Sequence, residues 1–326
     1  MSEMTKSFIH NLKVVTRVEF IPANSASVII GFAWAIGLHA LIDFKSVLFL
    51  LFLFVVLSSI GTLGAHWNSY SDYELDQDDP LKKELHRCLF EMGKEKLLKL
   101  IWVEVFLACL IFLAFWLNHR DWVLLVIWLT AFFLAFAYSM PPFRFKAKGI
   151  LALGSLCMVL SILPVLFVYL STNPSLNAGF LIFLLGHTLI IYSLIIPTEI
   201  RDYFVDQSHQ VKTMTVWLGL KNASGLAIGL LIIGTVLVVG SYSTSDLFTR
   251  SPLLIIFLFT IIAANGFVFS QFLRLGKLIF QSNGENQASI KKTVELAVDN
   301  PKWITISSMG SLSVALITIL GKLALK

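Results

Sequence analysis

Charge is scarce in this sequence. Only 14% of its 326 residues are Asp, Glu, Lys or Arg, against about 25% in an ordinary soluble chain. A surface so poor in charge must face something other than water, which excludes a soluble enzyme and a disordered chain. Cysteine is scarce as well. Cys88, Cys109 and Cys157 are far apart, odd in number and form no CxxC, so neither a disulfide framework nor a zinc site is indicated. The first twenty residues carry Lys6, Lys13, Arg17, Glu3 and Glu19 with no apolar stretch among them, so no cleavable signal peptide is expected.

What the chain does have is apolar bulk. Hydrophobic residues make up 57%, with 27 Phe and 8 Trp, and the mean hydropathy is +0.81. A helix crosses the hydrocarbon core with roughly 20 mostly apolar residues. Nine runs qualify: 24–42, 46–66, 97–117, 122–139, 150–170, 179–198, 223–241, 253–272 and 303–320. Glu104 and the boundary residue Lys99 are the charges inside them. The predicted fold is all-α and polytopic, with nine transmembrane helices in a single domain over 1–326.

Nine spans put the termini on opposite sides, so the loops can be compared for Lys and Arg. Twenty of the 25 basic residues fall on the N-terminal side and five, Lys45, Arg120, Arg250, Lys322 and Lys326, on the other. That split predicts an N-in, C-out protein of the cell (inner) membrane. It also explains the net charge of +5 without a nucleic-acid partner. The long polar connections lie on the cytoplasmic side, at 67–96, 140–149, 199–222 and 273–302, whereas the opposite side has tight turns. Long polar loops carry function more often, so a site facing the cytoplasm is expected.

Two of these connections hold spaced acids. Asn68, Asp72 and Asp76 stand at i, i+4 and i+8 where the second run ends. A continuing helix projects all three from one face and turns Glu74 away. Asp202 and Asp206 are again four apart after the sixth run, with Glu199 a turn earlier. Carboxylates gathered at one membrane face repel unless cations offset them. Mg²⁺ is usually held by one or two carboxylates plus substrate phosphates, so the pattern points to a shared metal–diphosphate site. Glu104, inside a span, is costly as a lone carboxylate. His39 and His187 read as satisfied interior polar groups.

With these motifs the sequence resembles the UbiA superfamily of intramembrane prenyltransferases. The likeness rests on Asn68/Asp72/Asp76, on Asp202/Asp206, on the segment Tyr138-Ser139-Met140-Pro141-Pro142-Phe143-Arg144-Phe145-Lys146, and on the tail Lys212-Thr213-Met214-Thr215-Val216-Trp217-Leu218-Gly219. Ser69, Gln207, Gln210-Val211 and Glu199 depart from the family pattern. The resemblance implies transfer of an isoprenyl chain from a polyprenyl diphosphate to an acceptor, first of all an aromatic quinone precursor. It implies Mg²⁺ on Asp72, Asp76, Asp202 and Asp206, with Asn68 beside them. Arg144, Lys146, Arg201 and Lys212 are the implied diphosphate contacts, and Tyr138 stands at the site mouth. A glycerol-phosphate lipid or a tetrapyrrole is the alternative acceptor. A transporter, or a non-catalytic isoprenoid-binding membrane protein, is the alternative outside enzymes.

Overall fold

In the computed structural model the described residues are 10–16, 21–36, 42–74, 83–173, 175–245, 252–281, 293 and 295–324. They are almost entirely helical, 89%, with no strand among the described residues. The helices are α1 (Ile21–Ile36), α2 (Phe44–Ser71), α3 (Lys83–Met92), α4 (Lys94–His119), α5 (Trp122–Ser139), α6 (Ile150–Thr172), α7 (Ala178–Ser208), a short α8 (Met214–Leu218), α9 (Leu220–Thr244), α10 (Pro252–Gln281) and α11 (Asn300–Ala324).

The starts of the long helices are written locally. Asp43 accepts the Ser46 backbone N–H at 2.8 Å and starts α2, Asp121 does the same from Val123 at 2.7 Å for α5, and Asn177 from Phe180 at 2.7 Å for α7. Each side chain satisfies a donor that the first helical turn leaves unpaired. Arg120, left-handed at φ 51°, ends α4, so α4 and α5 are joined by a turn of a few residues.

Eight of the helices are long and apolar enough to span a bilayer. The run at 24–42 is met by the shorter apolar helix Ser25–Ile36; residues 37–41, with His39, lie outside the described residues. Large apolar side chains stand exposed along these helices, among them Trp102 at 66%, Phe106 at 64% and Val236 at 65%. Water would penalise such a surface and lipid does not. The chain is an integral membrane protein.

Between helices in lipid, association depends on close packing rather than on apolar burial, and small residues permit it. Gly186 of α7 and Gly234 of α9 meet backbone to backbone: a Cβ on Gly234 would lie 2.7 Å from the Gly186 carbonyl oxygen. A Cβ on Gly310 of α11 would lie 2.9 Å from the Ala264 Cβ of α10, and the Thr260 and Ser313 hydroxyls join across the same seam at 2.7 Å. Helix α7 is the most enclosed, with 61% of its apolar window buried, and it carries the second acidic motif. His187 on it is buried, yet its Nε2 has no hydrogen-bond partner. The expectation of a satisfied interior histidine is not met at that nitrogen, and the ring stacks on Phe183 one turn earlier on the same helix.

Candidate functional site

The first acidic motif sits at the end of α2. The helix stops at Ser71, and Asp72 is its C-cap residue, with its backbone N–H bonded to the Asn68 carbonyl at 2.9 Å. The sequence expectation of a helix running on through Asp76 therefore fails, and residues 75–80, Asp76 included, lie outside the described residues. The Asp72 side chain is buried and drawn away from the helix axis: its Oδ1 accepts from the Lys146 ammonium. That lysine also donates to Asn68 Oδ1 at 3.3 Å. Asn68 and Asp72 do share one face, because a single lysine touches both.

Lys146 is delivered by the loop between α5 and α6. Ser139, the last residue of α5, donates to Asn68 Oδ1 at 3.1 Å, and its carbonyl accepts from Ser71 Oγ at 2.8 Å. The chain then turns through a cis Pro141–Pro142 bond and a left-handed Arg144 at φ 41°, and a 3₁₀ turn, Phe145–Ala147, places Lys146 inward. Arg144 Nη2 lies 3.9 Å from Asp72 Oδ1. One carboxylate thus faces two cations.

The opposite side of α2 is held by α4. His66, fully buried, is hydrogen-bonded to Glu104 at 2.7 Å (Nδ1 to Oε2) and stands 3.3 Å from the Thr16 hydroxyl. Glu104 is not a lone carboxylate. At the helix end, Lys94 pairs with Glu74 at 3.0 Å and lies over the rings of Tyr70 and Tyr73. With α4 on one face and the Lys146 loop on the other, the end of α2 has little freedom to rotate.

The second motif lies on α7, which continues as a helix ten residues past the expected span end, to Ser208, with Pro197 inside it. Asp202 and Asp206 therefore stand on one helical segment. Arg201 donates to Asp202 with two parallel bonds, Nε to Oδ1 at 2.6 Å and Nη2 to Oδ2 at 2.9 Å, the strong fork geometry. Glu199 is buried and tied to another segment: its Oε2 accepts the Thr215 backbone N–H at 3.0 Å and the Thr215 hydroxyl at 2.8 Å. This departure from the family pattern serves as a tie between α7 and the segment 213–218. The Lys212 side chain is exposed; its backbone is what the site uses, accepting the Gly149 N–H at 2.8 Å beside a bridge to Lys148.

The same loop therefore touches the first motif through Lys146 and, through Gly149, the segment that follows the second. Tyr138, at the end of α5, marks the meeting point. Its phenol lies within electrostatic reach of Glu199, Asp72 and Asp206, carboxylates of both motifs. Among the described residues, no three Asp, Glu, His or Cys side chains form a ready metal cluster. Hard carboxylate oxygens from both motifs nevertheless share one end of the bundle with Arg144, Lys146 and Arg201. That donor set suits a divalent cation bound together with a phosphate group, each sign of charge having a partner. Sequence reasoning did not find Ser71, Ser139, His66 or Thr215, whose roles depend on partners far along the chain.

An α-helical membrane bundle with two acidic helix ends, one of them held by a basic loop, is the class defined so far. Comparisons with known proteins narrow it. The profile of the UbiA prenyltransferase family matches residues 26–277, and the chain belongs to that family, whose members are prenyltransferases. Comparison with curated proteins gives no match. Among solved structures, a UbiA homologue from Archaeoglobus fulgidus is similar at TM-score 0.63 and 14% identity, over 95% of this chain and 99% of that one. The same homologue bound to GPP and Mg²⁺ matches at TM-score 0.59 and 15% identity, over 93% and 99%. A structure of digeranylgeranylglyceryl phosphate synthase matches at TM-score 0.58 and 17% identity, over 97% and 99%. At these identities the likeness is one of fold.

Proposed function

We propose that this protein transfers an isoprenyl chain from a polyprenyl diphosphate to an aromatic quinone-precursor acceptor, in a Mg²⁺-dependent reaction at the cytoplasmic face of the cell membrane. The proposed topology is nine crossings of one domain, 1–326, N-in and C-out, supported by the skew of Lys and Arg toward one set of loops. The observation that carries the functional reading is Lys146 joined to Asn68 and Asp72, with carboxylates of both motifs within electrostatic reach of Tyr138, in a member of a prenyltransferase family. That an Archaeoglobus homologue of the same fold binds GPP and Mg²⁺ supports the donor and the metal.

The chain's own groups divide the work. Lys146, Arg144 and Arg201, with Lys212 nearby, hold the diphosphate and balance its charge. Asp72, Asp76, Asp202 and Asp206 would hold Mg²⁺, which would supply neutralisation of the charge that grows on the departing diphosphate. The allylic C–O bond breaks and diphosphate leaves with the electron pair. An electron-rich ring carbon of the acceptor bonds to the allylic carbon, and the ring then gives up a proton. The apolar walls of the bundle seat the tail and exclude water, which would otherwise capture the cation. A second reading, with a glycerol-phosphate lipid as acceptor, is favoured by the likeness to digeranylgeranylglyceryl phosphate synthase.

Asp72→Ala and Asp202→Ala test the site. Both variants are expected to insert and fold while losing turnover; full activity in both sinks the assignment.

A further inference from the structure

Below the carboxylates, α7 carries a polar stripe facing α6. Thr188, Tyr192, Glu199 and Asp206 follow at intervals of four, seven and seven residues, which keeps them within about 40° of one another around the helix. The facing stretch of α6 is irregular: Met158–Ile162 forms a π turn, a distortion frequent at functional sites. Two members of the stripe away from the helix end are satisfied. Thr188 donates to the Leu184 carbonyl at 2.7 Å and meets the Ser161 hydroxyl at 2.9 Å. Glu199 accepts twice from Thr215.

Tyr192 is different. It is only 3% exposed, and its hydroxyl has no hydrogen-bond partner within the protein. A buried polar group left unpaired costs about 1–3 kcal/mol, and such groups are few in native structures. Its surroundings are those of the site rather than of remote packing. The phenol lies within electrostatic reach of Glu199 and Cys157, and of Tyr138, which in turn feels Asp72 and Asp206. Along α7 it stands ten residues, about 15 Å, before Asp202. That sets it deeper in the bundle than the acidic end of the helix.

The charge around it restricts the ligand. Glu199 lies within electrostatic reach of the Tyr192 phenol, and that carboxyl together with burial opposes a carboxylate or phosphate beside the phenol. An uncharged oxygen meets no such penalty and accepts the hydroxyl's proton. We infer that the Tyr192 hydroxyl is an acceptor-binding group that donates to an uncharged carbonyl or hydroxyl oxygen on the prenyl acceptor, on the part of the molecule lying deepest in the bundle. This rests on the prenyl-transfer reading and names the acceptor chemistry that the same site takes. An acidic acceptor then keeps its anionic group away from Tyr192 and turns its neutral oxygen toward it.

Tyr192→Phe removes the hydroxyl alone. Full-length protein in lipid is assayed with geranylgeranyl diphosphate and Mg²⁺, using 1,4-dihydroxynaphthalene and 1-naphthol as paired acceptors that differ by one hydroxyl. The expected result for Tyr192→Phe is about a tenfold rise in KM for the dihydroxy acceptor, with the donor KM unchanged. The wild type is expected to prefer the dihydroxy compound by a similar factor, and the variant to lose that preference. A merely structural hydroxyl gives the opposite pattern: both KM values unchanged, the preference retained, and a stability equal to or above wild type once the orphan group is gone. That pattern overturns the assignment of Tyr192 and leaves the prenyl-transfer reading standing. Loss of preference by a variant of wild-type thermal stability upholds the assignment, and if Tyr192→Phe folds poorly, equal use of the two acceptors by the wild type overturns it. Absence of diphosphate release by the wild type with these two and with every other aromatic or glycerol-phosphate acceptor overturns both readings together.

Discussion

Lys146 is the residue whose replacement discriminates most sharply between a bound pair and a chance contact. Its ammonium is 9% exposed and bonded to an Asp72 carboxylate that is 10% exposed. Lys146→Met keeps most of the side-chain volume and removes the charge. Breaking a buried pair by deleting one partner costs about 3–5 kcal/mol, because the other charge stays buried and uncompensated. Here Arg144 remains 3.9 Å from the same oxygen, half in solvent, and retains part of the pairing, so the loss belongs at the low end, about 3 kcal/mol. Thermal unfolding of the ligand-free protein in lipid is expected to fall by at least about 5 °C. Asp72→Asn should be destabilising by a smaller amount, and the double variant should recover most of the lost stability, because neither charge is then stranded. The cycle should return a coupling of about 2 kcal/mol or more. Losses that add within about 0.5 kcal/mol would refute the pair as a structural element and, with it, the placement of Lys146 in the site.

Two further outcomes follow from the same geometry. Glu199→Ala strips the two Thr215 donors of their acceptor and is expected to cost about 1–3 kcal/mol, whereas Glu199→Gln keeps an acceptor oxygen and should cost less; guanidinium-free thermal scans of both variants separate them. Gly234→Ala forces a Cβ to within 2.7 Å of the Gly186 carbonyl oxygen and 2.8 Å of an Ile190 side-chain carbon, so α7 and α9 must move apart. A loss of about 1–3 kcal/mol is expected, measurable as a lowered unfolding temperature, while Gly229→Ala, which meets nothing within 4 Å, should be neutral or stabilising.

The helical bundle was legible because it is written in composition: eight long helices coincide with apolar runs that any reading for bilayer-length stretches finds. The site was legible in part. The four-residue spacing of Asn68 and Asp72 predicted a shared face, and Lys146 touches both. Where the helix ends was not legible. Asp72 caps α2 in company with a lysine 74 positions away, and no local pattern carries that information. In α7 the polar residues after Pro197 read as a loop, yet the helix runs on to Ser208, with Glu199 tied to Thr215 and Asn300 of α11 donating to the Leu194 carbonyl at 2.8 Å. Tertiary partners override the local signal there. Glu104 looked like a lone charge in a span, and its partner His66 lies on another helix; pairs of that kind are set by packing between helices, which spacing within one helix does not encode.

Diphosphate release by the full-length protein in lipid, with Mg²⁺ or with EDTA, tests the central claim most directly. Geranylgeranyl diphosphate or a longer chain serves as donor, against a panel of aromatic and glycerol-phosphate acceptors. Prenyl transfer predicts release that requires both Mg²⁺ and one class of acceptor, and that is lost in Asp72→Ala and Asp202→Ala. Release that persists in EDTA, or no release with any pair of substrates, would contradict it.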